Sequence, residues 1–86
     1  MKYPYVLRLD ITKLAEEDRD LLVEALEYCA AHDKTGDFRY TMTERGVYIP
    51  CRTREQAVKR GRYFKFKFGT PFMIIREQPR ADPSKT

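Results

Sequence analysis

From Tyr3 to Ile11 the odd positions are Tyr3, Tyr5, Leu7, Leu9 and Ile11, and the even ones are Pro4, Val6, Arg8 and Asp10. A period of two predicts a half-buried strand. Its second face, with one valine and two charges, suits water or a partner. The period then changes. Within Thr12–Asp33, Leu22, Ala25, Leu26, Cys29 and Ala30 fall on one helical face, and Glu16, Glu17, Asp18 and Asp20 crowd the first turns. Negative charge there suits the helix dipole. Lys13-Leu14-Ala15 reads either as the helix start or as a separate turn leading into it. Gly36 ends the segment.

Phe38, Tyr40 and Met42 alternate with Arg39, Thr41 and Thr43 and predict a second strand. Glu44-Arg45-Gly46 reads as a hairpin loop with the glycine supplying a positive φ. Val47, Ile49 and Cys51 form the inward face of a third strand. Pro50 donates no backbone hydrogen bond, so this strand lies at an edge or ends there. Thr53-Arg54-Glu55-Gln56 has the form of a capping box. Ala57, Gly61, Phe64 and Phe68 follow as a helical stripe. Gly69 sits where a left-handed cap belongs, and Pro71 blocks continuation. The alternation of Phe64, Phe66 and Phe68 with two lysines offers a rival strand, but the caps at both ends favour the helix. Phe72–Glu77 is a final strand.

The order β-α-β-β-α-β predicts a single-domain α+β ferredoxin-like sandwich, with a four-stranded antiparallel sheet and both helices on one face. The domain is expected over residues 1–78. Residues 79–86, with two prolines and mostly polar groups, are expected to form a flexible tail.

At 86 residues the core is small. No apolar run is long enough to span a bilayer, and the N-terminus lacks the long apolar region of a signal peptide. Only two cysteines occur, Cys29 and Cys51, in no paired motif. Both read as free, buried thiols, and the expected location is cytoplasmic, without membrane contact. The net charge of +4 conceals a split. Residues 1–44 carry 6 basic and 10 acidic groups, whereas residues 45–86 carry 11 basic and 3 acidic ones. Such asymmetry suits a polyanion partner, or an acidic element packed beside a basic one.

Signals for catalysis are sparse. His32 is the one histidine, near a helix end, with no partner at metal-ligand spacing. Ser84, the one serine, lies in the tail. Gly69-Thr70-Pro71 is a helix stop and not a phosphate loop. The glycine-flanked arginine loop of acylphosphatases, which share this strand order, has no counterpart in Ile11-Thr12-Lys13. Cys51, just before a helix N-terminus and close in sequence to Arg52 and Arg54, is the best nucleophile candidate. It also continues an inward strand face, where it would be an inert core thiol. The chain therefore reads as a binding module and not an enzyme, with no cofactor and no metal.

Binding chemistry concentrates in the second helix. From Arg52 to Lys67 there are seven basic residues and one acid, Glu55. With the Ala57–Phe68 stripe inward, Lys59, Arg62, Tyr63 and Phe66 fall outward. Cations can neutralise phosphates and a ring can stack on a base. Arg54, Lys59, Arg60, Arg62, Lys65 and Lys67, with Tyr63 or Phe66 stacking, are the candidate nucleic-acid or partner-binding residues. The bland alternative is a solvated cationic face. The open sheet face, with Val6, Arg8, Asp10 and Tyr48, lacks the aromatics of an RNA-recognition motif.

Glu55-Gln56-Ala57 with Phe64-Lys65-Phe66-Lys67-Phe68-Gly69 resembles a helix ending found in small uncharacterised tailed-phage accessory proteins. The resemblance covers about fifteen residues and departs at Lys59-Arg60-Gly61-Arg62, which is more basic. It implies a partner that is a nucleic acid or a host protein, and carries over no site residue. Two functions follow as expectations: nucleic-acid binding through the second helix, or a protein-binding regulator or inhibitor aimed at a host enzyme or defence complex. Homodimer formation through a strand edge is compatible with both.

Overall fold

The computed structural model describes residues 3–76. The tail expected over 79–86, and the boundary at 78, lie outside them. Four strands and two helices follow in the expected order: β1 (Tyr5–Asp10), α1 (Glu16–His32), β2 (Thr41–Met42), β3 (Gly46–Cys51), α2 (Arg54–Phe68) and β4 (Phe72–Arg76). The sheet order is β2-β3-β1-β4, antiparallel throughout. This is the α+β arrangement compatible with a ferredoxin-like fold.

β1 is central. Leu7 lies between Ile49 and Ile74, and Leu9 between Val47 and Phe72. Leu7, Leu9, Val47 and Ile49 are wholly buried, together with Leu22 and Leu26 of α1 and Ala57 and Phe64 of α2. Strand side chains alternate between faces, so the opposite parity forms the open face. Two rows cross it: Pro50–Val6–Ile75 and Thr41–Tyr48–Arg8–Met73.

The α2 termini are fixed by local chemistry. The Thr53 hydroxyl accepts from the Gln56 amide at 3.0 Å, and Gln56 Oε1 accepts from the Arg52 amide at 2.8 Å. Gly69 adopts φ 71° and returns its N–H to the Lys65 carbonyl. α1 is started less firmly. Ala15 offers no side-chain cap, and Glu16, Glu17 and Asp18 favour the dipole instead. Lys13 belongs to a separate turn before the helix, in which Leu14 donates to Ile11 at 3.1 Å.

Two expectations need correction. The second strand is confined to Thr41–Met42. The Asp33 carboxylate accounts for the loss at its start, because it accepts from the amides of Thr35, Asp37 and Phe38 at 2.6–3.2 Å. The amides of Asp37 and Phe38 are thus committed to a turn and cannot join the ladder. Gly46 does not have a positive φ; Gly36 and Gly69 do. Gly46 opens β3, and a Cβ there would meet the Leu9 carbonyl oxygen at 2.9 Å. The glycine serves close backbone approach, and Thr43 shapes the turn, its hydroxyl accepting from the Gly46 amide at 3.1 Å. Pro50 sits past Tyr48, where the β2 ladder ends.

α2 lies close enough to β4 that a Cβ on Gly61 would stand 2.5 Å from the Phe72 ring. Gly61→Ala is therefore expected to destabilise by about 1–3 kcal/mol through overpacking, despite the ~1 kcal/mol that alanine adds to helix propensity. A thermal melt would show Tm lowered by several degrees. A raised Tm would mean that the ring pivots freely.

Asp33 gives a pH signature. Its hydrogen bonds from Thr35, then from Phe38 and Asp37, hold its carboxyl below the ordinary value of 3.8. A lowered folded-state pKa contributes stability above the unfolded value, which is lost as pH falls through the folded one. Melts of the parent protein and Asp33→Ala between neutral pH and pH 2 should differ most at neutrality and converge in acid. A constant gap would contradict this role.

Candidate functional site

At roughly 100° per residue, the side chains of α2 fall into four strips. Ala57, Gly61 and Phe64 are buried against the sheet, and Phe68 is half-buried. Arg54, Val58 and Lys65 lie on the flank toward β4. Glu55, Lys59, Arg62 and Phe66 form the outer ridge. Gln56, Arg60, Tyr63 and Lys67 form the flank toward α1, and all four line the space between the helices.

The eight predicted site residues are thus divided. Lys59, Arg62 and Phe66 stand together on the ridge, and Phe66 is 94 % exposed. Arg54 and Lys65 extend the ridge on its β4 side, both exposed. Arg54, Lys59 and Arg62 border one shallow depression with Glu55. The other three residues belong elsewhere. Tyr63 turns toward α1, and Lys67 reaches back to it, with Nζ 3.3 Å from the tyrosine oxygen. Arg60 is half-buried, with its guanidinium 4.8 Å from the Phe38 ring centre and Nη1 donating to the Pro50 carbonyl at 3.4 Å.

The acidic wall of α1 does not neutralise the ridge. Among the described residues the ion pair within salt-bridge distance is Arg52–Asp37, on the far side of the α2 cap. Asp37 also accepts from the Tyr3 hydroxyl at 3.0 Å. Glu27 accepts from Tyr40, not from a cation of α2. Arg54, Lys59, Arg62 and Lys65 therefore present their charge to solvent.

Sequence reasoning missed the contribution of α1. Leu21 and Tyr28 are exposed and line the inter-helix groove with Tyr63. Their seven-residue separation, one position off the Leu22–Leu26 stripe, is the signal that would have found them. The groove encloses about 900 Å³ at its larger end. Cys29, read as a buried thiol, is only half-buried there.

Cys51 is a core thiol. It has no accessible surface, and its sulfur donates to the Ile49 carbonyl at 3.4 Å. Burial pushes its pKa up and outweighs the lowering by the nearby Arg60. His32 stacks on Tyr28 and its Nδ1 lies 3.0 Å from the Tyr28 carbonyl. Among the described residues no three His, Cys, Asp or Glu side chains gather as a metal site, and no helix is long and apolar enough to cross a membrane. No family model, curated protein or solved structure matches the chain.

Thiol chemistry should follow these environments. Under native conditions at pH 8, iodoacetamide is expected to label Cys29 first and Cys51 only at the rate of unfolding, as read by peptide mass spectrometry. Faster labelling of Cys51 would restore it as a candidate nucleophile.

Proposed function

We propose that the protein binds nucleic acid through the outer ridge of α2. The observation that carries this reading is the set Arg54, Lys59, Arg62 and Lys65, which is exposed with no acid within salt-bridge distance among the described residues, spread along the part of α2 that carries the exposed ring of Phe66. A ring in that position has almost no protein contact to lose and a base to gain. Cations spaced along one side of a helix can follow a phosphate backbone, each neutralised phosphate releasing a counterion. Arg60, Tyr63 and Lys67 are left out of this contact set, because they face α1. The acidic groups of α1 confine the positive field to a stripe, which suits a single strand crossing the helix better than a duplex lying along the domain.

A second reading, a protein-binding regulator of the kind the phage resemblance implies, is favoured by the open sheet face. Met73 is 55 % exposed there beside Arg8, with Val6 and Ile75 in the neighbouring row. β4 is also an edge strand with no internal proline or lysine, so it can accept a further strand from a partner or a second copy.

Fluorescence anisotropy with labelled single-stranded RNA, single-stranded DNA and duplex DNA separates the two. Micromolar or tighter binding is expected at low salt. Lys59→Glu/Arg62→Glu should abolish it, and Phe66→Ala should cost ~1–3 kcal/mol on single strands. The neutral pair Lys59→Gln/Arg62→Gln should reduce the slope of log affinity against log salt by about 1–2. Absence of binding at low salt would overturn the nucleic-acid reading and leave the sheet face as the surface to pursue.

A further inference from the structure

The facing flanks of α1 and α2 leave a groove that the outer ridge does not explain. Two partly exposed tyrosines mark its middle, Tyr28 at 63 % and Tyr63 at 45 %. From that pair it runs one way over Phe64 toward Phe38 and Arg60, and the other way toward Leu21 and Phe68. Its surface is mainly apolar, and its charged groups differ in what they already hold.

Arg60 is the exception among the polar groups. A guanidinium carries five N–H donors in a planar fork. Here Nη1 reaches the Pro50 carbonyl at 3.4 Å and the Cys51 sulfur at 3.6 Å, both long contacts, and the guanidinium carbon lies 4.8 Å from the centre of the Phe38 ring. Among the described residues no carboxylate comes within salt-bridge distance of it. Arg60 thus lines the groove without a carboxylate partner among the described residues, although its side chain is half withdrawn from water. Two acids share that end. Asp33 spends its oxygens on the amides of Thr35, Asp37 and Phe38, and Glu55 borders that end together with Lys59, one charge against the other. Arg60 and Lys67 are both felt by the thiol of Cys29, which lies between the helices.

We propose that this groove binds a medium-chain amphipathic carboxylate, with its headgroup on Arg60 and its apolar chain between Tyr28 and Tyr63 toward Leu21. A carboxylate matches the arginine fork in two parallel hydrogen bonds. It supplies the counter-charge that a partly desolvated cation requires. The chain would cover the tyrosine faces and Leu21, surface that is otherwise wet. From Arg60 to Lys67 the helix advances about 10 Å, so the headgroup and chain sites lie along one line, as an extended chain needs. An ammonium headgroup would meet Arg60 as a like charge.

Two-dimensional NMR of the full chain, titrated with sodium decanoate, decanol or decylammonium below their micellar concentrations, tests this. Decanoate is expected to give saturable shifts centred on Tyr28, Cys29, Arg60 and Tyr63. Decanol and decylammonium should bind roughly tenfold more weakly or worse, the difference a charged hydrogen bond makes. Arg60→Gln should bring decanoate down to the level of decanol. Because Arg60 also touches Pro50 and Phe38, Tyr63→Ala provides a second variant, removing a partly exposed ring and weakening decanoate and decanol alike while the rest of the spectrum stays native. Equal affinities for decanoate and decanol in the parent protein, or shifts confined to Met73 and Ile75 on the sheet face, would overturn the proposal. Nucleic-acid binding by the ridge is read separately, since Arg60→Gln and Tyr63→Ala leave Arg54, Arg62, Lys65 and Phe66 in place.

Discussion

Leu7 and Leu9 are enclosed from three sides, by β3, by β4 and by the helices. Because side chains alternate along a strand, burying these two decides where every other β1 residue points. Val6 and Arg8 are committed to the open face, and through the ladder so are Pro50, Tyr48, Ile75 and Met73. A one-residue slip would place Arg8 in the core and Leu7 in water, so the register is held by the cost of that exchange. The helix layer depends on the same constraint. α2 can approach the sheet closely only because Gly61 lies over Phe72, the residue paired with Leu9.

The arginines and lysines of the C-terminal half are chemically similar and do different work. Arg52 is paired with Asp37 and fastens the start of α2 to the turn after α1. Arg60 packs on Phe38 and reaches the carbonyl of Pro50. Among the described residues Arg54, Lys59, Arg62 and Lys65 have no acid within salt-bridge distance and run along the helix toward Phe66. The charge asymmetry between the two halves is real in sequence, yet it is neither one basic patch nor a mutual neutralisation of two helices. Arg54, Lys59, Arg62 and Lys65 stand on the outer ridge and β4 flank of α2, while Arg60 and Lys67 are on its flank toward α1.

Much of the fold was legible because its signals are local. Alternation gave β1, and Thr53, Gln56 and Gly69 gave both ends of α2, since each cap is a contact within a few residues. β2 was read too long at its start because of Asp33, whose side chain competes for the amides of Asp37 and Phe38 in a way no periodicity records. Gly46 was assigned the wrong reason for the same cause: the Leu9 carbonyl that excludes a Cβ is far away in sequence. In the candidate site, the outward direction of Lys59, Arg62 and Phe66 followed from the inward stripe. The position of Tyr63 and Arg60 did not, because it depends on where α1 lies, and Leu21 and Tyr28 entered the picture only with that placement.

The sheet order has a consequence for how the chain comes to be folded. β1 is the first strand to be synthesised and pairs on one side with β4, the last in chain order, with Tyr5 opposite Arg76. Until β4 has left the ribosome, β1 has an unsatisfied edge and the Phe72 ring is missing beneath Gly61. The domain therefore cannot complete its core until β4 is available to pair with β1. Closing so long a loop makes folding slower than for a helical bundle of the same size. During that interval Leu7 and Leu9 are the surface that a chaperone would meet first.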